Sequence, residues 1–179
     1  LFPARITSWK GQLEFIDVIK KMDTQNILVL FAGDTKNKSY TKLVRDKIEQ
    51  NNLKHVCKIL GSVNQDEMRS LYQIADLSLS FPLRTEGFGR TVSESLYSKT
   101  PVLAFDYGGV KNQLANLSDM FKVKPQDFQV LPAKIEKLLS LSEVEKKEAL
   151  EGVQSVIESN FSKINMVKQY LKLYESFES

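Results

Sequence analysis

Two carboxylates, Glu86 and Glu94, stand eight residues apart around the run Gly87-Phe88-Gly89-Arg90-Thr91. This run follows an apolar stretch, Leu77 to Phe81, and opens an amphipathic segment that ends near Tyr97. The order reads as strand, glycine turn, helix. Glycine at 87 and 89 frees the backbone for left-handed angles and lets a ligand come close to the main chain. The first amides of the helix lack intrahelical acceptors, and with the positive end of the helix dipole they form an anion site. A phosphate or an electron-rich hydroxyl suits such a place. Glu86 in the loop and Glu94 one to two turns inside the helix border the same cleft. With 22 acidic residues in 179, the spacing alone selects nothing; the glycines and the strand before them carry the reading.

A second pair of charges lies in Arg5-Ile6-Thr7-Ser8-Trp9-Lys10-Gly11, where a strand is expected to turn into a helix. Arg5 and Lys10 can then both reach an anion held above that helix's first turn. Arginine offers a planar fork and lysine a mobile point charge, so the two can neutralise a diphosphate without a metal. Among 25 basic residues an isolated Arg and Lys are ordinarily surface charges. Context must decide.

The elements that would position these groups alternate along the chain. Leu1 to Ile6 reads as the end of a strand, and Ser8 offers an N-cap for a helix to about Met22. Ile27 to Ala32 is an almost unbroken apolar run stopped by Gly33-Asp34, the mark of a strand buried on both faces. Ser39 to Asn52 repeats apolar positions at Leu43, Val44 and Ile48 with helical spacing. Val56 to Leu60 is a short strand closed by Gly61. Asn64 with Glu67 three residues on predicts a capping box and a helix to Ala75. Leu77 to Phe81 and Pro101 to Phe105 are further strands; Asp106-Tyr107-Gly108-Gly109 leads into a short helix, and Phe121 to Val123 is a last edge strand. Helices are expected over Phe128 to Leu139, Ser142 to Ser159 and Ser162 to Phe177. In the last two, Leu150, Val153 and Ile157 form one apolar stripe and Phe161, Ile164, Val167, Leu171 and Tyr174 another, both expected to face a core. This alternation predicts one α/β domain with a Rossmann-like parallel sheet, helices on both faces and a helical C-terminal tail. Ligands are expected beyond the carboxyl ends of the strands.

In that setting Glu86 to Glu94 resembles the E-x7-E motif of the glycosyltransferase group 1 family, retaining enzymes with the two-domain GT-B fold. Ala4-Arg5 to Lys10-Gly11 resembles the family's G-R-x(4)-K-G element, with Ala4 in place of the usual glycine. Gly33-Asp34 and Gly61-Ser62-Val63 resemble its glycine turns, and Tyr72, Ala75 and Asp76 its Tyr-x-x-Ala-Asp packing motif. Pro101-Val102 and Gly108-Gly109-Val110 resemble a further segment, with Asn112 where the family usually has Glu. The likeness covers about Ala4 to Gln113 and implies roles. Arg5 and Lys10 would hold the donor diphosphate, Glu86 the transferred sugar, and Glu94 the donor ribose. Phe88 and Gly89 amides would point to the sugar and those of Arg90 and Thr91 to the phosphates, while the backbone of Gly61, Ser62 and Val63 would line the nucleobase pocket. Glu86, Arg5 and Lys10 are then the residues expected nearest the reaction.

The same resemblance implies the C-terminal, donor-binding half of a transferase. It would use a nucleotide-diphosphate sugar as donor and a glycan or lipid as acceptor, in cell-envelope polysaccharide synthesis. The acceptor site would belong to an N-terminal domain outside this chain, an expectation that the absence of an initiating Met supports. A GT-B sugar-nucleotide epimerase and a non-catalytic sugar-nucleotide-binding module are the alternatives. No Asp-x-Asp pair occurs and His55 is the single histidine, so no metal and no cofactor are expected. Neither G-x-G-x-x-G after the first strand, G-x(4)-G-K-[ST], nor G-x-S-x-G is present, which argues against dinucleotide oxidoreductase, P-loop and serine-elbow chemistry. A net charge of +3 is far from a nucleic-acid footprint. The lone Cys57 suits a reducing cytoplasm, and no apolar run approaches a membrane span. The mild basicity is compatible with a parent protein lying peripherally on the cytoplasmic membrane face.

Overall fold

A computed structural model describes residues 1–177. Strands β1 (Phe2–Pro3), β2 (Val29–Ala32), β3 (Cys57–Gly61), β4 (Ser78–Ser80), β5 (Val102–Phe105) and β6 (Lys122–Val123) alternate with helices. Those helices are α1 (Gln12–Ile19), α2 (Lys38–Gln50), α3 (Gln65–Ile74), α4 (Arg90–Tyr97), α5 (Gly109–Leu114) and α6 (Leu131–Leu139). Helices α7 (Glu143–Ala149), α8 (Val153–Phe161) and α9 (Lys163–Glu175) form the tail. The strands make two parallel three-stranded ladders, β1-β2-β3 and β4-β5-β6. They abut at β1 and β4, where the Leu79 amide donates to the Leu1 carbonyl at 2.9 Å and the Leu1 nitrogen to the Leu77 carbonyl at 2.7 Å. Across that seam the spatial order is β3-β2-β1-β4-β5-β6, the expected Rossmann-like arrangement, with the direction of winding reversing between β1 and β4.

Apolar periodicity explains most of the packing. Phe15, Ile16 and Ile19 of α1, Val44 and Ile48 of α2, and Val92 and Leu96 of α4 are buried in one large core. A smaller cluster under α3, built from Leu1, Ala32 and Tyr72, fills the other face. A chain of rings crosses the seam. Phe81 lies 6.2 Å from Phe2 and 5.7 Å from Phe15 on one side, and 5.2 Å from Phe105 and 6.4 Å from Phe128 on the other. Cys57 is a core thiol whose ionisation burial pushes up to about 11.

Four expectations need correction. Helix α1 is capped by Gly11, at φ 83°, and not by Ser8, because residues 4 to 10 form the loop that lines the groove described below. Leu43 is exposed on α2; the buried face turns instead through Tyr40, Thr41, Val44 and Ile48. The predicted helix from Ser142 to Ser159 is two helices, broken at Leu150 to Gly152, where Gly152 takes φ 73° and caps α8. Finally, Leu150, Val153 and Ile157 are buried as expected, but Ile164, Val167, Leu171 and Tyr174 of α9 are exposed. Amphipathic spacing identifies a face that wants cover, and among the described residues no element packs over this one.

Phe81 is fully buried at the seam, so Phe81→Ala opens a cavity between the two half-sheets. We expect a loss of about 3 to 5 kcal/mol in urea unfolding. A loss under about 1 kcal/mol would show that the halves are not joined through this ring.

Candidate active site

The groove lies where the winding reverses, outside the carboxyl ends of β1 and β4. It measures about 730 Å³ and is lined on one side by Pro3, Ala4, Arg5, Trp9 and Lys10, and on the other by Thr85 to Thr91 and Glu94. A second hollow of about 440 Å³ shares Arg90 and Glu94 with it and continues past Val63, Met68, Tyr72 and Tyr97. A ligand can therefore run from Lys10 and Glu86 past the start of α4 to the flank of α3. Such a volume and position suit a small, extended, charged molecule.

The start of α4 is built to present donors. Gly89 caps the helix at φ 81° and ψ 57°. A Cβ there would also lie 2.4 Å from Val110 Cγ2, so both conformation and space demand glycine. Gly87 differs from the sequence expectation: its φ is not positive, and a Cβ would project into open space. Its value is access to the backbone, not left-handed geometry. Loop carbonyls are tied to the protein instead. The Gly109 amide donates to the Glu86 carbonyl at 3.0 Å, and the Gln113 side-chain amide donates to the Phe88 carbonyl. Gly109 permits this because a Cβ would meet the Gly87 oxygen at 2.1 Å. Among the described residues, the amides of Phe88, Gly89, Arg90 and Thr91 find no protein acceptor. Acceptors are consumed inside and donors remain outside, which is an anion cradle.

Gln113 was not singled out from the sequence. Ser93 Oγ donates to its Oε1 at 2.7 Å while its Nε2 holds Phe88, so one buried amide locks the loop to α4. The signal was present in the pattern: Gln113 shares the buried face of α5 with Val110 and Leu114, and a buried amide requires partners. The polar contact sought at Asn112 is thus made by its neighbour.

Each carboxylate has its own fixture. Glu94 Oε1 accepts from Arg90 Nη2 at 3.0 Å and Oε2 from the Tyr72 hydroxyl at 3.2 Å. Burial first, then the Glu94 charge, raises the Tyr72 ionisation far above its ordinary range. Its hydroxyl therefore stays a donor. Tyr72, read from the sequence as packing only, is also a second-side anchor for Glu94, and Arg90 contributes its guanidinium as well as its amide. Glu86 Oε1 accepts from the Lys10 ammonium, with both side chains 13% exposed. Glu86 Oε2 is buried without a partner. Lys10 Nζ also sits 4.3 Å from the centre of the Trp9 ring. Burial, then the Glu86 charge, raises the ionisation of Tyr107, whose hydroxyl donates to the Pro82 carbonyl.

The structure thus gathers Arg5, Lys10, Glu86, Phe88, Gly89, Arg90, Thr91 and Glu94 on one groove. It adds to the sequence reading a direct contact between Lys10 and Glu86, which had been given to the diphosphate and to the sugar respectively. Arg5 is exposed and makes no ion pair among the described residues. Gly61 and Ser62 do not line the groove; only Val63 reaches the second hollow, while the Gly61 carbonyl is taken by the Gly33 amide at 2.9 Å. His55 is exposed in the turn before β3. Among the described residues no three His, Cys, Asp or Glu side chains converge as metal ligands, and no helix is long and apolar enough to cross a membrane.

Residues 1–151 match the family described as glycosyl transferases group 1. The chain belongs to that family. It is 29% identical over 183 residues to a trehalose synthase of Thermococcus litoralis, covering 97% of this chain and 43% of the relative. Among solved structures it resembles a glycosyltransferase from Rickettsia africae, with a TM-score of 0.88 and 29% identity over 98% of this chain and 46% of that one. Anabaena HepE, solved with UDP and glucose, shares the fold at a TM-score of 0.85 and 22% identity, over 98% of this chain and 47% of its own. The chain spans less than half the length of the curated relatives it matches. The family model thus covers the seam, the groove and both carboxylates and ends in the break before α8, while the relatives align over nearly the whole chain.

The two loop glycines should separate in mutagenesis. Gly89→Ala meets a left-handed φ and the Val110 methyl together and is expected to cost about 2 kcal/mol or more in denaturant unfolding. Gly87→Ala, facing open space, is expected to stay within about 0.5 kcal/mol of wild type. Equal losses would mean that the loop is not held as described.

Proposed function

We propose that this chain is the donor-binding half of a glycosyltransferase that moves a sugar from a nucleoside-diphosphate sugar to a glycan or lipid acceptor. The observation that carries the reading is the row of four unsatisfied amides at the switch point, flanked by Arg5 and Lys10 and bounded by two fixed carboxylates. The diphosphate lies over the start of α4, where amides and cations meet its charge. The ribose hydroxyls reach Glu94, the base enters the hollow beside Val63 and Tyr72, and the sugar reaches Glu86. The complex of HepE with UDP and glucose supports the same class of ligand here.

In this reading the protein acts mainly through electrostatics. As the bond between the anomeric carbon and the diphosphate oxygen lengthens, negative charge grows on the leaving group, and the Arg90 and Thr91 amides with Arg5 and Lys10 stabilise it. The departing diphosphate takes the acceptor's proton, so Glu86 orients the sugar and transfers no proton itself. Attack comes from the face the diphosphate leaves, and the anomeric configuration is retained. No divalent ion is needed because protein cations and amides supply the counter-charge. An N-terminal domain of the same polypeptide provides the acceptor site, and closure against it excludes water. The parent protein works in the cytoplasm, at the membrane face, in cell-envelope polysaccharide synthesis.

Calorimetric titration of the chain with UDP, GDP and ADP, each with and without attached sugar, tests the reading. One nucleoside diphosphate is expected to bind, with EDTA leaving its affinity unchanged. Glu94→Ala is expected to weaken free diphosphate and donor alike by about 1.5 to 3 kcal/mol. No binding of any of the three, or loss of binding on chelation, would overturn the assignment. The chain alone is expected to show no sugar transfer.

A further inference from the structure

The Lys10–Glu86 pair has an arrangement that simple ligand recognition does not require. Lys10 is one of the cations that line the groove, yet its ammonium is held by Glu86 Oε1. Both side chains are largely removed from water, so their attraction is weakly screened and neither is easily left alone. Glu86 Oε2 is buried with no partner even while the pair is intact. Tyr107, the other polar side chain whose ionisation reflects the Glu86 charge, gives its hydroxyl proton to Pro82. Among the described residues no side chain other than Lys10 hydrogen-bonds to the Glu86 carboxylate.

We propose that Glu86 occupies Lys10 as an internal substitute for phosphate, so that the groove favours sugar-bearing donor over free nucleoside diphosphate. This rests on reading the groove as the donor site. An entering diphosphate must draw Lys10 from Glu86. The Trp9 ring beneath Nζ keeps the ammonium near both partners during the exchange. If the ligand carries a sugar, its hydroxyls donate to the released carboxylate and to the orphaned Oε2, and every charge is again matched. If the ligand is free nucleoside diphosphate, the carboxylate is left buried and bare, which is costly. The same carboxylate that grips the donor sugar therefore disfavours retention of the product that remains after the sugar has left. Glu86 becomes a residue that sets the ratio of substrate to product affinity, beyond its contact with the sugar.

The test is the affinity of the best-binding nucleoside diphosphate, and of its sugar-bearing form, for wild type, Glu86→Gln, Lys10→Met and the double variant. Glutamine keeps the shape and removes the charge that holds Lys10. We expect Glu86→Gln to bind free diphosphate about fivefold or more tighter than wild type and the sugar-bearing donor more weakly, so the preference shrinks or inverts. In the Lys10→Met background the same substitution should tighten free diphosphate by less, because no cation is released. A gain as large in that background would reduce Glu86 to simple repulsion of phosphate and overturn the proposal. So would unchanged or weaker binding of free diphosphate by a Glu86→Gln variant that melts like wild type. Because both ligands are measured on each variant, their ratio decides the matter even if overall affinity drops through partial unfolding. Failure of wild type to bind any diphosphate overturns the donor-site reading itself, and this inference with it.

Discussion

The seam between β1 and β4 is the constraint on which the rest of the molecule depends. Two hydrogen bonds, from Leu79 to Leu1 and from Leu1 to Leu77, and a file of phenylalanine rings through Phe81 join two parallel half-sheets. Because the winding reverses there, the loops after β1 and β4 part to opposite sides and leave a crevice between them. Arg5 and Lys10 enter from one loop, and Glu86 to Glu94 from the other. Residues more than seventy positions apart meet because the two strands that precede them are neighbours. Phe81 directly follows β4, so the ring that closes the core also fixes where the loop to Glu86 begins.

The loop's chemistry comes from its underside. Backbone carbonyls at Glu86 and Phe88 are satisfied by Gly109 and Gln113 on α5, and the peptide units present N–H groups to the groove as a result. A ligand meets an already oriented set of donors and need not order them. Glu94 is treated in the same way, with Arg90 and Tyr72 each holding one oxygen. Glu86 is the exception. Among the described residues Lys10 is the only hydrogen-bond partner of its carboxylate and Oε2 has none, so Glu86 is the less fully satisfied of the two carboxylates.

Much of this was legible in the sequence because local rules and the global fold agree. The apolar runs gave the strands, the Asn64 to Glu67 capping box appears as read, and the glycine-flanked carboxylates border one groove. What sequence could not supply were partnerships across distance. Lys10 and Glu86 carry opposite charges at positions 10 and 86, and no local pattern says that they touch. Gln113 and Tyr72 looked like helix filler because their value lies in atoms on other elements. The α9 stripe was readable as apolar but not as uncovered, since periodicity reports the character of a face and not what lies against it. Gly61 and Ser62 illustrate the converse: a motif can be matched by residue type while, of its three residues, only Val63 lines the second hollow.

Helix α8 has a bearing on where a fragment of this chain can be ended. The match to the family model ends at residue 151, an inviting place for a truncation. Yet Val153 and Ile157 lie in the main core, and the Phe161 ring leans edge-on against Phe88 of the ligand loop at 5.4 Å. A fragment stopped where the family model ends would keep every motif and lose the wall behind one of them. Packing against the loop that carries Phe88 reaches ten residues past that point, to Phe161.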